Sequence, residues 1–195
     1  MNKHLTVPFF SQLRAAPNLL TLLRLFILPF LVIEILDADW PVAFSLFALA
    51  GLTDALDGLM ARWLSQKTTL GQYLDPIADK LLLSTLFIVL THANLIPRYV
   101  TVLVFSRDLG ILLISTLLFA TGTLRDFRPS LLGKFNTLVQ IIGLVSVLLA
   151  KLWSAAWLSA FTGGVLRVIA ILAPISAAQY AWIVFRRINS DPTTT

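Results

Sequence analysis

Four aspartates, Asp54, Asp57, Asp75 and Asp79, are the side chains whose type and spacing best suit chemistry. The first two are three residues apart and the last two are four residues apart, so each pair projects from one face of a helix. If the two helices fold back against each other, the four carboxylates converge, and their mutual repulsion calls for a positive charge among them. The alternative is that these acids are helix caps and surface charges at a turn.

The ligand chemistry of this acidic cluster favours a hard cation. Carboxylate oxygens without His or Cys nearby select Mg²⁺ or Mn²⁺, with Ca²⁺ as a competitor, and four carboxylates suit two ions. A pair of divalent ions in a protein normally binds phosphates and stabilises charge during displacement at phosphorus. Gly58 and Ala61, on the acidic face, leave space for a flat group such as a nucleotide base. The chain contains no cysteine, which excludes a disulfide framework, a thiolate metal site and a cysteine nucleophile.

The elements that must position these acids are predicted to be membrane helices. The chain is 57% hydrophobic and only 13% charged, whereas soluble domains carry about 25% charged residues. At about 20 apolar residues per span, there is room for about six spans, so we predict an all-α, polytopic bundle of six transmembrane helices forming one domain over residues 1–195. The predicted helices are Leu19–Leu36, Pro41–Leu64, Tyr73–His92, Pro97–Thr121, Ser130–Leu152 and Ala156–Arg186. Gly163, Gly164 and Pro174 are candidates for shifting the start of the last helix or kinking it.

The distribution of positive charge predicts the orientation of this bundle. With the N-terminus in the cytoplasm, most Lys and Arg residues fall on the cytoplasmic side, and the other side holds mainly Arg98 and Lys151, as the positive-inside rule requires. A membrane surface therefore explains the net charge of +5 better than a nucleic acid does. Residues 1–16 are expected to be a cytoplasmic interfacial lead-in and residues 189–195 a polar tail. The first residues do not suit a signal peptide, so the expected location is a bacterial inner membrane, with removal of a presequence as the alternative.

Written as a pattern, residues 54–79 read D-x2-D-G-x2-A-R-x8-G-x3-D-x3-D, which resembles the signature of the CDP-alcohol phosphotransferases. The resemblance implies a six-helix membrane bundle, usually a homodimer, with the site in a cytoplasm-facing cavity between the first helices. It also implies that Asp54, Asp57, Asp75 and Asp79 bind metal and that Asp79 is the base that deprotonates the acceptor hydroxyl. The residues that it implies for binding the cytidine diphosphate donor are Asp57, Gly58, Ala61, Arg62 and Gly71. Without the motif, Arg62 is equally well explained as a cytoplasmic flanking charge.

The segment Pro17–Arg24 resembles the opening of phosphatidylglycerolphosphate synthases and of eukaryotic-type cardiolipin synthases. The resemblance implies that Arg24 faces a substrate phosphate, with Asn18 and Thr21 nearby on the same helix. The alternative is an ordinary helix start with a snorkelling arginine.

Two later segments also resemble these glycerol-lipid synthases: Ser106-Arg107-Asp108, and Gly133-Lys134-Phe135-Asn136-Thr137 with Gln140 at the start of the fifth span. They imply that Arg107 and Lys134 bind the phosphate of the acceptor. Because an arginine inside a span needs a partner, a structural ion pair between Arg107 and Asp108 is the alternative, and Lys134 is alternatively a flanking lysine. Lys80 and Arg167 carry the same ambiguity.

The function that the resemblance implies is transfer of a phosphatidyl group from CDP-diacylglycerol to a glycerol-type acceptor, with release of CMP. The Arg-Asp sequence in the fourth span is more similar to cardiolipin synthases, which makes phosphatidylglycerol the preferred acceptor and glycerol 3-phosphate the alternative. A divalent-cation channel or transporter is a competing class, because acids within spans often mark ion pathways. A membrane scaffold without activity is a third possibility, although all the acids of the motif are present.

Overall fold

The fold is all-helical over the part of the chain that the structure describes. The structure is a computed structural model, and it describes residues 16–63, 69–120 and 131–190, and within them the side chains outside 16–18, 57–63, 69–76, 115, 117–120 and 187–190. The helices are α1 (Ala16–Leu36), α2 (Trp40–Trp63), α3 (Thr69–His92), α4 (Arg98–Ala120), α5 (Leu131–Leu152) and α6 (Ala156–Ser190). Each predicted helix therefore has its counterpart, and the described residues include no strand.

The ends of the helices differ from the prediction by a few residues. α3 begins at Thr69, before the predicted start at Tyr73. The prediction followed the apolar run, and the first turn of α3 is helical but largely polar. α6 begins at Ala156 as predicted and continues through Gly163, Gly164 and Pro174 without a break in the helix. The lead-in up to residue 15 and the tail beyond residue 190 lie outside the described residues.

Among the described residues, three helices are long and apolar enough to cross a membrane by length and composition: Leu19–Leu36 in α1, Leu131–Leu152 in α5 and Ala156–Arg186 in α6. A shorter apolar stretch, Trp40–Leu56, lies in α2. Many large apolar side chains of these helices are exposed, among them Phe26 at 65% and Trp157 at 70%. Such exposure is costly in water and expected in lipid. The described helices thus support a membrane protein, and the full set of six spans stays a prediction.

By its internal contacts the chain divides into two compact units, residues 1–89 and residues 90–195. In the first unit, α1 packs against α2. The buried faces repeat at helical spacing: Ile27, Leu31 and Ile35 on α1, with Ala43 and Phe47 on α2. In the second unit, α6 packs against both α4 and α5.

The turns after α1 and after α3 end their helices in the same way. Ala38 and Asn94 adopt left-handed φ angles of 58° and 60°, and the following residue donates its backbone N–H to a carbonyl five residues earlier, Asp39 to Glu34 at 2.9 Å and Leu95 to Leu90 at 2.9 Å. This is the Schellman arrangement, which satisfies carbonyls that the helix end would leave unpaired. In both turns the left-handed residue therefore ends the helix with its last carbonyls satisfied.

Candidate functional site

The centre of the site in the first unit is Arg24 of α1. Its guanidinium is 1% exposed and forms ion pairs with two of the four motif aspartates: Nη2 lies 2.8 Å from Oδ1 of Asp54, and Nη1 donates to Oδ1 of Asp79. Asp54 belongs to α2 and Asp79 to α3. One buried cation therefore joins three helices, and it does so through residues that the sequence analysis had assigned to the site.

The placement of Arg24 explains how an apolar helix tolerates it. α1 is otherwise uncharged from Ala16 to Ile33, and a charge within an apolar span is costly unless it is paired. The residue one turn earlier on the same face, Thr21, is also fully buried. Two carboxylates compensate the Arg24 charge, and a planar guanidinium with its fork of donors is suited to binding two carboxylates at once.

The two aspartates are less buried than the arginine that holds them. The side chain of Asp54 is 51% exposed and that of Asp79 is 46% exposed. Beside Asp54, the Thr53 hydroxyl donates to the Ala50 carbonyl at 2.8 Å, so it is already used within the helix. Within the described part of the chain, Asp54 bonds only through Oδ1.

The carboxylate oxygens of Asp54 and Asp79 are suitable ligands for a divalent cation. Two carboxylates from different helices converge at one point, and both offer oxygen, the ligand that Mg²⁺ and Mn²⁺ prefer. Asp57 lies one turn after Asp54 in α2, and Asp75 lies one turn before Asp79 in α3, but their side chains are outside the described residues. Among the described residues alone, no group of three or more acids or histidines forms a metal site. The four-aspartate metal site thus remains a prediction.

Arg24 supplies part of the positive charge that the repulsion among the aspartates was predicted to require. The positive charge between Asp54 and Asp79 in this structure is its guanidinium, whereas the sequence analysis placed Arg24 at a substrate phosphate. The role of Arg24 at a substrate phosphate stays a prediction. The pairing itself was missed.

The remaining predicted residues of the first unit lie where their structure is described only in part. Asp57, Gly58, Ala61 and Arg62 belong to α2 and Gly71 to α3, so the helices that carry the donor-binding residues exist. Their side chains, and that of Asn18 in α1, lie outside the described residues. Lys80, next to Asp79, is half-buried.

In the second unit, Arg107 of α4 is also buried, at 8% exposure. Its Nη1 lies 2.5 Å from Oδ1 of the adjacent Asp108, and its Nε donates to the Ser176 hydroxyl of α6 at 2.9 Å. The ion pair that the sequence offered as an alternative is therefore present. Lys134, in the first turn of α5, is exposed and forms no ion pair within the described part of the chain, and Arg167 is likewise exposed.

Three polar residues of this unit have no role predicted from the sequence, although Asn136 and Gln140 lie in the segment that resembles the glycerol-lipid synthases. Ser176 holds Arg107, and the amides of Asn136 and Gln140 on α5 are fully buried. The available signal was the spacing of the two amides, four residues apart in an otherwise apolar helix, which places them on one face.

Comparison with known proteins gives a consistent picture. The model of the CDP-alcohol phosphatidyltransferase family matches residues 14–180. The chain is 40% identical over 158 residues to a cardiolipin synthase (CMP-forming) of Rattus norvegicus, covering 72% of this chain and 52% of that protein. It is 33% identical over 177 residues to a CDP-diacylglycerol–glycerol-3-phosphate 3-phosphatidyltransferase of Aquifex aeolicus, covering 90% of this chain and 98% of that protein. A protein of the latter name from Bacillus subtilis is 35% identical over 151 residues, covering 70% of this chain and 77% of its own length. The chain spans about half the length of the cardiolipin synthases that it matches.

Proposed function

Because this chain belongs to the CDP-alcohol phosphatidyltransferase family, we propose that it transfers the phosphatidyl group of CDP-diacylglycerol to a glycerol-type alcohol and releases CMP. The observation that supports this most directly is the convergence of Asp54 and Asp79 on the buried Arg24. It joins two acids of the motif to a cation within the first unit, and the reaction needs acids for the metal and the proton, and positive charge for the diphosphate.

In the proposed reaction, the hydroxyl oxygen of the acceptor attacks the phosphorus that carries diacylglycerol. The bond between this phosphorus and the oxygen bridging to CMP breaks, and the hydroxyl proton passes to the carboxylate of Asp79. Arg24 holds Asp79 in place and contributes positive charge near the diphosphate. Positioning and electrostatic stabilisation supply most of the rate in phosphoryl transfers of this kind.

The residues that would hold divalent ions are Asp54, Asp57, Asp75 and Asp79, and two Mg²⁺ or Mn²⁺ ions are proposed. When bound, such ions neutralise charge on the diphosphate oxygens. The proposed donor contacts on the cytidine side are Asp57, Gly58, Ala61, Arg62 and Gly71. Asn18, Thr21, Arg24, Arg107 and Lys134 are proposed to bind phosphate or acceptor. Support for these roles is the match between the motif and its family.

The proposed acceptor is phosphatidylglycerol, which gives cardiolipin. The 40% identity to the rat cardiolipin synthase supports it. Glycerol 3-phosphate is the second candidate, because the similarity to the Aquifex aeolicus protein extends over nearly the whole of both chains. Family membership favours a transferase over the ion channel or transporter considered from the sequence.

We also propose that the protein is a homodimer of six-span subunits in a bacterial inner membrane, with the N-terminus and the active site on the cytoplasmic side. The excess of Lys and Arg on the segments assigned to that side supports the orientation. At the end of α6, Arg186 lies over the ring of Trp182 at 5.2 Å, and such pairs of aromatic and basic residues are typical of a membrane interface.

The test is an acceptor assay with purified protein in mixed micelles containing CDP-diacylglycerol. Phosphatidylglycerol and glycerol 3-phosphate are offered separately, with Mg²⁺, with Mn²⁺ or with a chelator, and both CMP and lipid products are followed. We expect metal-dependent CMP release with cardiolipin as product. If only glycerol 3-phosphate gives a lipid product, it is the acceptor instead of phosphatidylglycerol. If no CMP is released with either acceptor, the proposed function is contradicted.

A further inference from the structure

Arg24 places a positive charge among acids that are proposed to bind a divalent cation. Its Nη2 lies 2.8 Å from Oδ1 of Asp54, and its Nη1 donates to Oδ1 of Asp79. All three residues belong to the unit of residues 1–89. A metal ion that binds these two carboxylates therefore has to share them with Arg24 or to displace it.

The apolar surroundings of Arg24 keep its guanidinium in place. The side chain is 1% exposed, and the residues one turn before and after it on the same face of α1, Thr21 and Ile27, are buried as well. A charged group inside an apolar span loses its compensation when it leaves its partners, and the charge of a guanidinium is permanent. We therefore expect Arg24 to stay with the acids when a second cation arrives.

The two carboxylates are open to such a cation. Asp54 is 51% exposed and Asp79 is 46% exposed, so both are accessible from outside the helices although the arginine is not. A carboxylate has two oxygens, and it can accept from a guanidinium while it binds a metal ion. Sharing is therefore the arrangement to be expected in the metal-bound protein.

Sharing weakens the binding of the metal ion through electrostatic repulsion. Two carboxylates and one guanidinium leave a net charge of −1, where the acids alone would offer −2. Two unit charges about 4 Å apart change an equilibrium constant about fivefold even in bulk water, and a divalent ion experiences this twice over. The acids are about half exposed, so salt reduces the effect, and we expect Arg24 to lower the affinity about tenfold.

An effect of opposite sign also has to be considered. Arg24 joins Asp54 and Asp79 and so orders them before any metal ion binds, which reduces the entropy that binding costs. An aspartate side chain has only two torsions, whereas long side chains have four or more. The gain from ordering two aspartates is therefore expected to be smaller than the repulsion.

From this geometry we propose that Arg24 is a resident counter-ion, which balances Asp54 and Asp79 in the metal-free protein and lowers their affinity for a divalent cation. This inference rests on the part of the proposed function that assigns the two acids to metal binding. In sites built from oxygen ligands, the Kd ranges from about 10⁻⁹ to 10⁻³ M with ligand charge and rigidity. The wild-type protein without substrate is expected at the weak end, with a Kd above about 10⁻⁵ M.

The test is the binding of Mn²⁺ alone to the whole chain in neutral detergent, without nucleotide or lipid substrate. Electron paramagnetic resonance of the free ion measures the Kd. Arg24→Met puts an uncharged side chain into the apolar helix, and its Kd should be about tenfold lower than that of the wild type. Arg24→Lys keeps the charge, so its Kd should lie within about threefold of the wild-type value.

The lysine variant separates repulsion from ordering. If Arg24 acts mainly by ordering the carboxylates, both variants bind Mn²⁺ more weakly than the wild type, and the inference is wrong. Equal Kd values for the wild type and Arg24→Met also contradict it. If Arg24→Met does not fold, Arg24→Gln is a second neutral variant with the same expected decrease in Kd. The wild type provides a criterion without any substitution, because a Kd below about 10⁻⁵ M overturns the inference.

Two control variants test the charge and the location of the ion. Arg98→Met removes the same charge from an exposed position at the start of α4, and it should leave the Kd unchanged because exposed charges are screened by salt. Asp54→Asn should weaken the binding of Mn²⁺ at least tenfold. If it does not, the ion is held by other acids and the inference is contradicted.

The Mn²⁺ measurement and the acceptor assay fail independently. If the Kd values follow the expected order but no CMP is released, the role of Arg24 stands and the proposed reaction fails. If CMP release depends on metal but Arg24→Met binds Mn²⁺ no more tightly than the wild type, the reaction stands and the inference fails. If neither the wild type nor any variant binds Mn²⁺, both the inference and the assignment of the acids to metal are contradicted.

Discussion

Two arginines, Arg24 and Arg107, are buried in apolar helices and compensated in different ways. Arg24 is paired with acids that come from two other helices, 30 and 55 residues away in the sequence, and each acid is about half exposed. Arg107 is paired with its own neighbour, Asp108, and both side chains are at most 9% exposed. The first arrangement is assembled by tertiary structure, and the second is local.

The exposed carboxylates around Arg24 can exchange ligands. The buried pair of Arg107 and Asp108 cannot easily do this. Carboxylates that reach the surface can bind a metal ion while keeping contact with Arg24. A buried ion pair within one helix is costly to open, because either charge would be left without compensation. We infer that the cluster of Arg24, Asp54 and Asp79 is the more open of the two. The Arg107–Asp108 pair supports the position of α4 against α6 through Ser176, in addition to the contact proposed between Arg107 and the acceptor.

The largest effect that would test this contrast is expected from Asp79→Asn. If Asp79 accepts the hydroxyl proton and binds metal, the amide should lower kcat by about three orders of magnitude, since general bases contribute about 10²–10⁴-fold. The measurement is CMP release at saturating donor and acceptor. Asp37→Asn, in the exposed turn after α1, is the matched control and should retain wild-type activity.

A loss of activity through unfolding would mimic this result, because Asn no longer balances the charge of Arg24. The melting temperature of the variant therefore has to be measured as well. A folded Asp79→Asn protein with more than a tenth of the wild-type kcat would rule out Asp79 as the base and would make the Arg24 cluster a structural element like the one in the second unit.

A smaller effect, on stability, is expected from Asp108→Asn. The change leaves Arg107 buried with the Ser176 hydroxyl as its remaining partner in the described part of the chain, and breaking a buried pair typically costs about 3–5 kcal/mol. Because the hydroxyl remains, we expect a loss near the lower end, about 3 kcal/mol in the free energy of unfolding. Denaturation in mixed micelles measures it.

The control for Asp108→Asn is the same change at an exposed position. Asp39 accepts the backbone N–H of Val42 at 3.3 Å at the start of α2, and asparagine caps a helix about as well as aspartate. Asp39→Asn should therefore change stability by less than about 0.5 kcal/mol. Equal losses of stability for the two substitutions would show that the buried pair stabilises the fold no more than the exposed aspartate does.

The helices and the local pairings could be predicted from the sequence because their determinants are close together in the chain. Long apolar runs predicted the six helices, and the adjacency of Arg107 and Asp108 indicated their ion pair. The start of α3 was placed too late, since hydropathy detects only where a helix becomes apolar, and Thr69, Gly71 and Gln72 are not apolar although they are helical.

The contacts across helices could not be predicted in the same way. Nothing near Arg24 in the sequence indicates that it joins Asp54 and Asp79, because the pairing depends on how α1, α2 and α3 are placed. Ser176 is likewise one of several hydroxyls in α6, and its contact with Arg107 depends on the height at which α4 meets α6. For Asn136 and Gln140, the spacing gives a common face, and only the fold shows that this face is buried.

The smallest predicted effect concerns the packing that holds the second unit together, and it is expected from Gly143→Ala. A Cβ built at Gly143 would lie 2.6 Å from Cδ1 of Ile169, which is itself fully buried. Overpacking costs about 1–3 kcal/mol and alanine favours the helix by about 1 kcal/mol, so the net loss of stability should be about 1 kcal/mol.

Two further variants identify the cause of that loss. A Cβ at Gly164 of α6 meets nothing within 4 Å, so Gly164→Ala should be neutral or stabilising by up to about 1 kcal/mol. Ile169→Val removes Cδ1 and should restore most of the stability of Gly143→Ala when the two are combined. If the double variant is no more stable than Gly143→Ala alone, the close approach of α5 to α6 at Gly143 is not what limits this position.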